Sequence, residues 1–185
     1  VINYSQIYRM ELDEQVTDKT YHVPHGGLPP QSERLADRAL FTESFAFIPA
    51  EVQTDIVTSF LPFWQATRLW VLARPMTGFA ESFSHYLMEV SSGGGSQQPD
   101  DDTTAQSVLF VVGGQASLTY NGQQTELSSG SYAYLPAGLE WQLKNNSDSP
   151  CHFHWIRKRY HSVAGIKPPQ AFVTSDKDID QIAMP

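Results

Sequence analysis

Between Gly130 and Asn145 the chain places glycine, proline and asparagine at fixed intervals: Gly130-x5-Pro136-x-Gly138-x2-Trp141-x3-Asn145. No other stretch constrains the fold as strongly. Proline has no backbone N–H and glycine tolerates conformations closed to other residues, so Pro136 and Gly138 punctuate the chain. The pattern predicts two short strands, 131–135 and 139–143, hinged between them, with Trp141 inside the second.

The rest of the chain carries the same two-residue period. In Ala39-Leu40-Phe41-Thr42-Glu43-Ser44-Phe45-Ala46-Phe47-Ile48 it puts Phe41, Phe45 and Phe47 on one face of a strand. Further strands are predicted at 68–73, 79–90, 108–112, 116–120 and 152–160. Asn121-Gly122 is a hairpin turn, because both positions favour residues that accept positive φ. One helical turn is expected within 51–61, and no long helical period competes with the strands. The expected class is all-β, a sandwich or barrel over residues 38–165. Residues 1–37, with His25-Gly26-Gly27-Leu28-Pro29-Pro30, read as an extended N-terminal arm. Lys167-Pro168-Pro169 opens a C-terminal linker over 166–185, with a short helix capped by Ser175 or Asp176.

Composition removes several function classes. Of 185 residues 41% are hydrophobic, enough for one domain with a substantial core. The net charge of -8 has no basic stripe against it, so no nucleic-acid partner is expected. The single basic run, Arg157-Lys158-Arg159, reads as a solvated strand end. No apolar run is long enough for a membrane helix, and no signal peptide opens the chain. The lone Cys151 excludes an internal disulfide and fits a cytoplasmic location. The first residue is Val1, so the chain as given need not begin where its gene does. There is no Gly-x-Ser-x-Gly elbow, Cys151 has no evident base, and Gly93-Gly94-Gly95 opens no helix that could bind phosphate.

The Gly130–Asn145 spacing resembles the second sequence motif of the cupins, whose fold is a double-stranded β-helix, or jelly-roll barrel. In cupins a metal-binding His normally stands where Trp141 stands here. The first cupin motif supplies two His and a Glu. Counted from Gly94, those positions fall on Asp100, Asp102 and Gln106. Trp cannot ligate a metal and Gln is a weak neutral ligand, so a degenerate, metal-free barrel is expected. Asp100-Asp101-Asp102 reads as a solvated acidic loop. An inward Trp141 would fill the space of the metal and its waters, and Gln106 is a candidate partner for its indole N–H. His152-Phe153-His154 is the rival constellation, since its spacing puts both imidazoles on one strand face. If Phe153 and Trp155 face the core, those histidines point away from it. His22, His25, His85 and His161 have no partner at ligand spacing.

Several stretches together resemble the N-terminal half of the bicupin (S)-ureidoglycine aminohydrolases, also labelled glyoxylate-induced proteins. They are Leu61-Pro62-Phe63-Trp64, Trp70-Val71-Leu72-Ala73-Arg74-Pro75, Phe79-Ala80-Glu81-Ser82-Phe83, Gly93-Gly94-Gly95-Ser96, Pro136-Ala137-Gly138 and Arg157-Lys158-Arg159-Tyr160. The resemblance implies a structural, non-catalytic barrel without a cofactor of its own. Manganese would sit in a second, C-terminal cupin that this chain does not contain. That enzyme releases ammonia from ureidoglycine to give ureidoglycolate, in allantoin and purine breakdown. A second cupin domain and further copies of the chain are the implied partners. No catalytic residue of the family transfers to this sequence, and the chain alone is expected to be inactive. The alternative is a metal-free cupin that holds a small acid or sugar beside Gln106 and Trp141.

Overall fold

The two-residue period becomes eleven strands in the computed structural model, which describes residues 40–41, 45–49, 61–74 and 82–180. The expected N-terminal arm, His22, His25 and nearly all of the helical turn at 51–61 lie outside them. The strands are β1 (Leu40–Phe41), β2 (Ala46–Phe47), β3 (Trp64–Ala73), β4 (Ser84–Ser96), β5 (Ala105–Gly113) and β6 (Gln115–Tyr120). β7 (Gln123–Ser128), β8 (Ser131–Leu135), β9 (Trp141–Lys144), β10 (Cys151–Arg159) and β11 (Phe172–Ser175) complete them.

One predicted element is corrected. The run 39–48 is not a single strand: β1 and β2 pair antiparallel, Leu40 opposite Phe47, so the segment doubles back on itself. The polar Thr42-Glu43-Ser44 between them was the available sign of a break. Asn121 and Gly122 do form the hairpin turn, at φ 49° and 72°, and join β6 to β7.

Nine strands make one sheet in the order β11-β8-β5-β10-β4-β9-β6-β7, with β3 on the flank of β4. The architecture is all-β, as the turn spacing predicts. β4 is the hinge of the arrangement. It pairs with β3 at both its ends and with β10 over its first part, and its last part also reaches β9 through Gly95 opposite Lys144. Gly95 has φ 140°, and a Cβ there would overlap the backbone carbonyl of Leu143. Only glycine allows the two strands to approach this closely.

The inward faces enclose one apolar core that includes Leu109, Leu118, Leu127, Leu143 and Phe153, removed from water and held chiefly by the hydrophobic effect. Asn145 is fully buried at the end of the Gly130–Asn145 motif. Its Nδ2 donates to the Val90 and Ser149 carbonyls at 2.8 Å each, and its Oδ1 accepts from the Ser147 backbone N–H at 2.9 Å. Its backbone N–H donates to the Gly94 carbonyl. A buried amide with every group engaged stitches the motif to β4. At the other end, Gly130 (φ 90°) has a carbonyl that accepts from the Asp176 N–H, and a Cβ there would strike the Asp176 carboxylate.

Asp176–Asp178 forms a 3-10 turn capped by Ser175, in the place expected for a short helix. Within the segment expected as a linker, β11 pairs with β8 and adds a strand to the sheet, and Phe172 stacks on Tyr132 and Tyr134. Among the described residues no helix is long and apolar enough to cross a membrane.

Candidate functional site

The interior of the barrel near the motif is occupied by aromatic rings. Strand alternation sends Cys151, Phe153 and Trp155 of β10 inward. β9 brings Trp141 to meet them, and β3 brings Trp64. Trp141 is 5% exposed and stands edge-on to Trp155, with centroids 5.5 Å apart and planes at 90°. Trp64 lies 6.3 Å from Trp141 and 5.7 Å from Trp155. These edge-to-face and tilted contacts fit the ring quadrupoles and exclude water from the volume they fill.

The four positions aligned with cupin metal ligands do not converge. Asp100 lies in the β4–β5 loop, its Oδ2 2.7 Å from Arg157 Nη2. Burial pushes its carboxyl above the ordinary value, and the Arg157 charge offsets part of that. Asp102 is exposed and closes a local turn: its Oδ1 accepts from the Thr104 hydroxyl at 2.6 Å and from the Thr104 N–H at 3.1 Å. That hydroxyl bond is the main reason its carboxyl sits below the ordinary value. Trp141 alone of the four joins the apolar core.

The expected contact between Gln106 and Trp141 is corrected. On β5 the buried residues Ser107, Leu109 and Val111 alternate with Gln106, Val108 and Phe110, which take the outer face. Gln106 Oε1 accepts from the Tyr134 hydroxyl at 2.8 Å. It is Trp155 that finds a partner inside, donating its indole N–H to Ser107 Oγ at 3.1 Å. The alignment from Gly94 thus chose the wrong face of β5. The apolar alternation of Leu109 and Val111 was the signal that fixes it. Among the described residues, no group of three or more His, Cys, Asp or Glu is placed to hold a metal ion.

His152 and His154 share the outer face of β10, opposite Phe153 and Trp155, but they serve different partners. His152 Nε2 is 3.0 Å from Glu89 Oε2, and Arg68 Nε donates to Glu89 Oε1 at 2.8 Å. Burial acts to raise the Glu89 carboxyl, yet the bonds from Arg68 and His152 prevail and lower it. His154 Nδ1 shares a hydrogen bond of 2.9 Å with His85 Nε2. Burial first, and the proximity of His154 second, push His85 down to about 4; burial also lowers His154. Sequence reasoning left His85 without a partner. Only the β4–β10 register, with Ile156 opposite His85 and His154 opposite Leu87, brings the rings together diagonally.

Arg157 closes the barrel end. Its guanidinium lies 4.9 Å from the Trp155 ring centroid and is held by Asp100. Beside it is a cavity of about 160 Å³, whose walls include Trp64, Trp141, Trp155, Asp100, Asp101 and Arg157. Sequence reading placed Arg157 with its neighbours in a solvated strand end, although the two-residue period of Cys151, Phe153 and Trp155 continues to it and was the available signal.

With this geometry in hand, comparison with known proteins is informative. Residues 86–157 match the model of the cupin domain. A glyoxylate-induced protein from Pseudomonas aeruginosa is 49% identical, with a TM-score of 0.75 over 90% of this chain and 60% of its own. Protein Ylba from E. coli is 23% identical, with a TM-score of 0.72 over 83% of this chain and 62% of its own, a likeness of fold alone. The chain thus spans about 60% of the length of these two solved relatives. No curated protein matches it.

Proposed function

We propose, from the premise that this chain folds as a cupin and carries a cupin domain related to a glyoxylate-induced protein, that it is the structural, non-catalytic half of a manganese-dependent (S)-ureidoglycine aminohydrolase. One observation carries the reading. The rings of Trp64, Trp141 and Trp155 pack against one another around Trp141, the residue that aligns with the third cupin histidine, which supports a barrel without a metal centre. Manganese does not fit the residues present. It prefers hard oxygen and imidazole donors, whereas Asp100 is taken by Arg157, Asp102 by Thr104, and Gln106 faces outward. We therefore assign no manganese-dependent step to this barrel. Its role in the proposed enzyme is to pack against a second, metal-bearing cupin and to make contacts between subunits.

The test is elemental analysis and an ammonia assay on the purified chain. After loading with manganese and desalting, it is expected to retain far less than one ion per chain and to release no ammonia from ureidoglycine. Stoichiometric manganese, or turnover, overturns the reading.

A second reading has the 160 Å³ cavity in its favour: a metal-free cupin that holds a small organic acid or sugar against the indoles. It predicts saturable quenching of tryptophan fluorescence by a compound of that class, abolished in Trp141→Phe. A panel of small monocarboxylates and monosaccharides that leaves the fluorescence unchanged rejects it.

A further inference from the structure

The one basic run of this acidic chain lies in a groove at the barrel end, outside the aromatic interior. The groove has a volume of about 600 Å³, within the range of small-ligand sites. Arg157, Lys158, Arg159, His161, Ser82 and Ser84 contribute to its walls. Four of them, Ser84, Arg157, Lys158 and Arg159, are held by strands β4 and β10. In the sheet Ser84 stands opposite Arg157, Gln106 opposite Lys158 and Ala105 opposite Arg159. The Tyr160 N–H donates to the Thr104 carbonyl and pins the end of β10.

The charges in the groove are not all spent. Arg157 is committed to Asp100. Lys158 and Arg159 are exposed, and among the described residues neither has an ion-pair partner. The hydroxyls of Ser82 and Ser84 are likewise not engaged by a described residue. Asp102 also lines the groove; the Thr104 bonds and the charges of Arg157 and Arg159 hold its carboxyl below the ordinary value, so it stays ionised and takes up part of the groove's positive charge. A chain of net charge -8 repels anions over most of its surface, so a groove whose walls carry Arg157, Lys158 and Arg159 against one lining carboxylate, Asp102, stands out as the place an anion would settle.

We propose that this groove binds a small anion, with Arg159 as the principal cation, Lys158 reaching it from the other face of β10, and Ser82 and Ser84 as further donors. A phosphate monoanion or dianion and a short dicarboxylate share the chemistry required: two or more acceptor oxygens and compact negative charge. The assignment does not depend on the fate of the metal site, because Trp141 takes no part in it.

Calorimetric titration of the whole chain at neutral pH and low salt tests it, with inorganic phosphate in one arm and malonate in the other. Saturable binding in the millimolar range is expected for at least one probe, weakened in moderately high salt as for exposed charges. Saturation by phosphate alone identifies a phosphoryl ligand, and by malonate alone a dicarboxylate. Arg159→Gln and Lys158→Gln are each expected to weaken binding about five- to tenfold, the loss of one charge-assisted contact. Lys177→Gln, at an exposed position outside the groove, is expected to leave it unchanged. Both exposed substitutions can be checked for unaltered thermal unfolding before titration. Absence of saturable binding with both probes, or equal affinity in the Lys158→Gln, Arg159→Gln double variant, overturns the proposal.

Discussion

Trp141→Ala is expected to lower folding stability by about 3–5 kcal/mol, the usual cost of truncating a large buried aromatic side chain. The indole is 5% exposed and wedged between Trp64 and Trp155, so its removal leaves a cavity lined by rings that cannot easily close over it. The measurement is urea unfolding followed by circular dichroism. With a slope of about 2 kcal/mol per molar urea, the midpoint should fall by about 2 M. A change below about 1 kcal/mol would mean that the ring does not bear on the core. The companion variant Trp141→His separates packing from chemistry. It restores the residue type that cupins use, yet it should still retain no manganese, because Asp100 and Asp102 remain tied to Arg157 and Thr104 and Gln106 stays on the outer face.

The second large effect concerns pH. His85 and His154 stand 2.9 Å apart, both neutral at pH 7, and one must accept while the other donates. The folded chain holds His85 down at about 4, against 6.5 for the unperturbed side chain. The sign follows from linkage. Between pH 6.5 and 4 the unfolded chain takes up a proton that the folded chain refuses, so acid favours unfolding. Stability is therefore full above about pH 6.5 and declines as the pH falls towards 4, by about 3 kcal/mol in all from His85. His154, also lowered by burial, acts in the same direction. Glu89 contributes separately and at lower pH, because its carboxyl is held below the ordinary value and its stabilisation is lost only as that group protonates. Urea midpoints at pH 7 and pH 4.5 measure the decline. His85→Gln should remove much of it. An undiminished acid sensitivity in that variant would assign the effect to other groups.

These two sites differ in how far they could be read before folding. Trp141 could be placed because it lies inside a motif whose spacing sets both strand and face. The split of His152 and His154 from the core could also be read, since Phe153 and Trp155 take the opposite side of the same strand. Their partners could not. Glu89 and His85 belong to β4, 63 and 69 residues away in sequence, and strand register is set by pairing that no local pattern records. Gln106 shows the limit from the other side. Counting from a glycine puts a residue at a distance along the chain, whereas facing alternates with every residue, so an offset of one moved the inward position to Ser107.

By itself, then, the amino-acid order determined an all-β class and the turn at Asn121-Gly122, because each rests on local backbone preference or on the two-residue period; the barrel, and an indole at the usual ligand position, are what the resemblance to the cupin motif implies. Packing decided the rest: Asp176 comes to lie against Gly130, and Arg157 meets Asp100 while Lys158 and Arg159 stay open to solvent. Such choices depend on which distant strands become neighbours, and that is settled only when apolar faces from the whole chain close over one another.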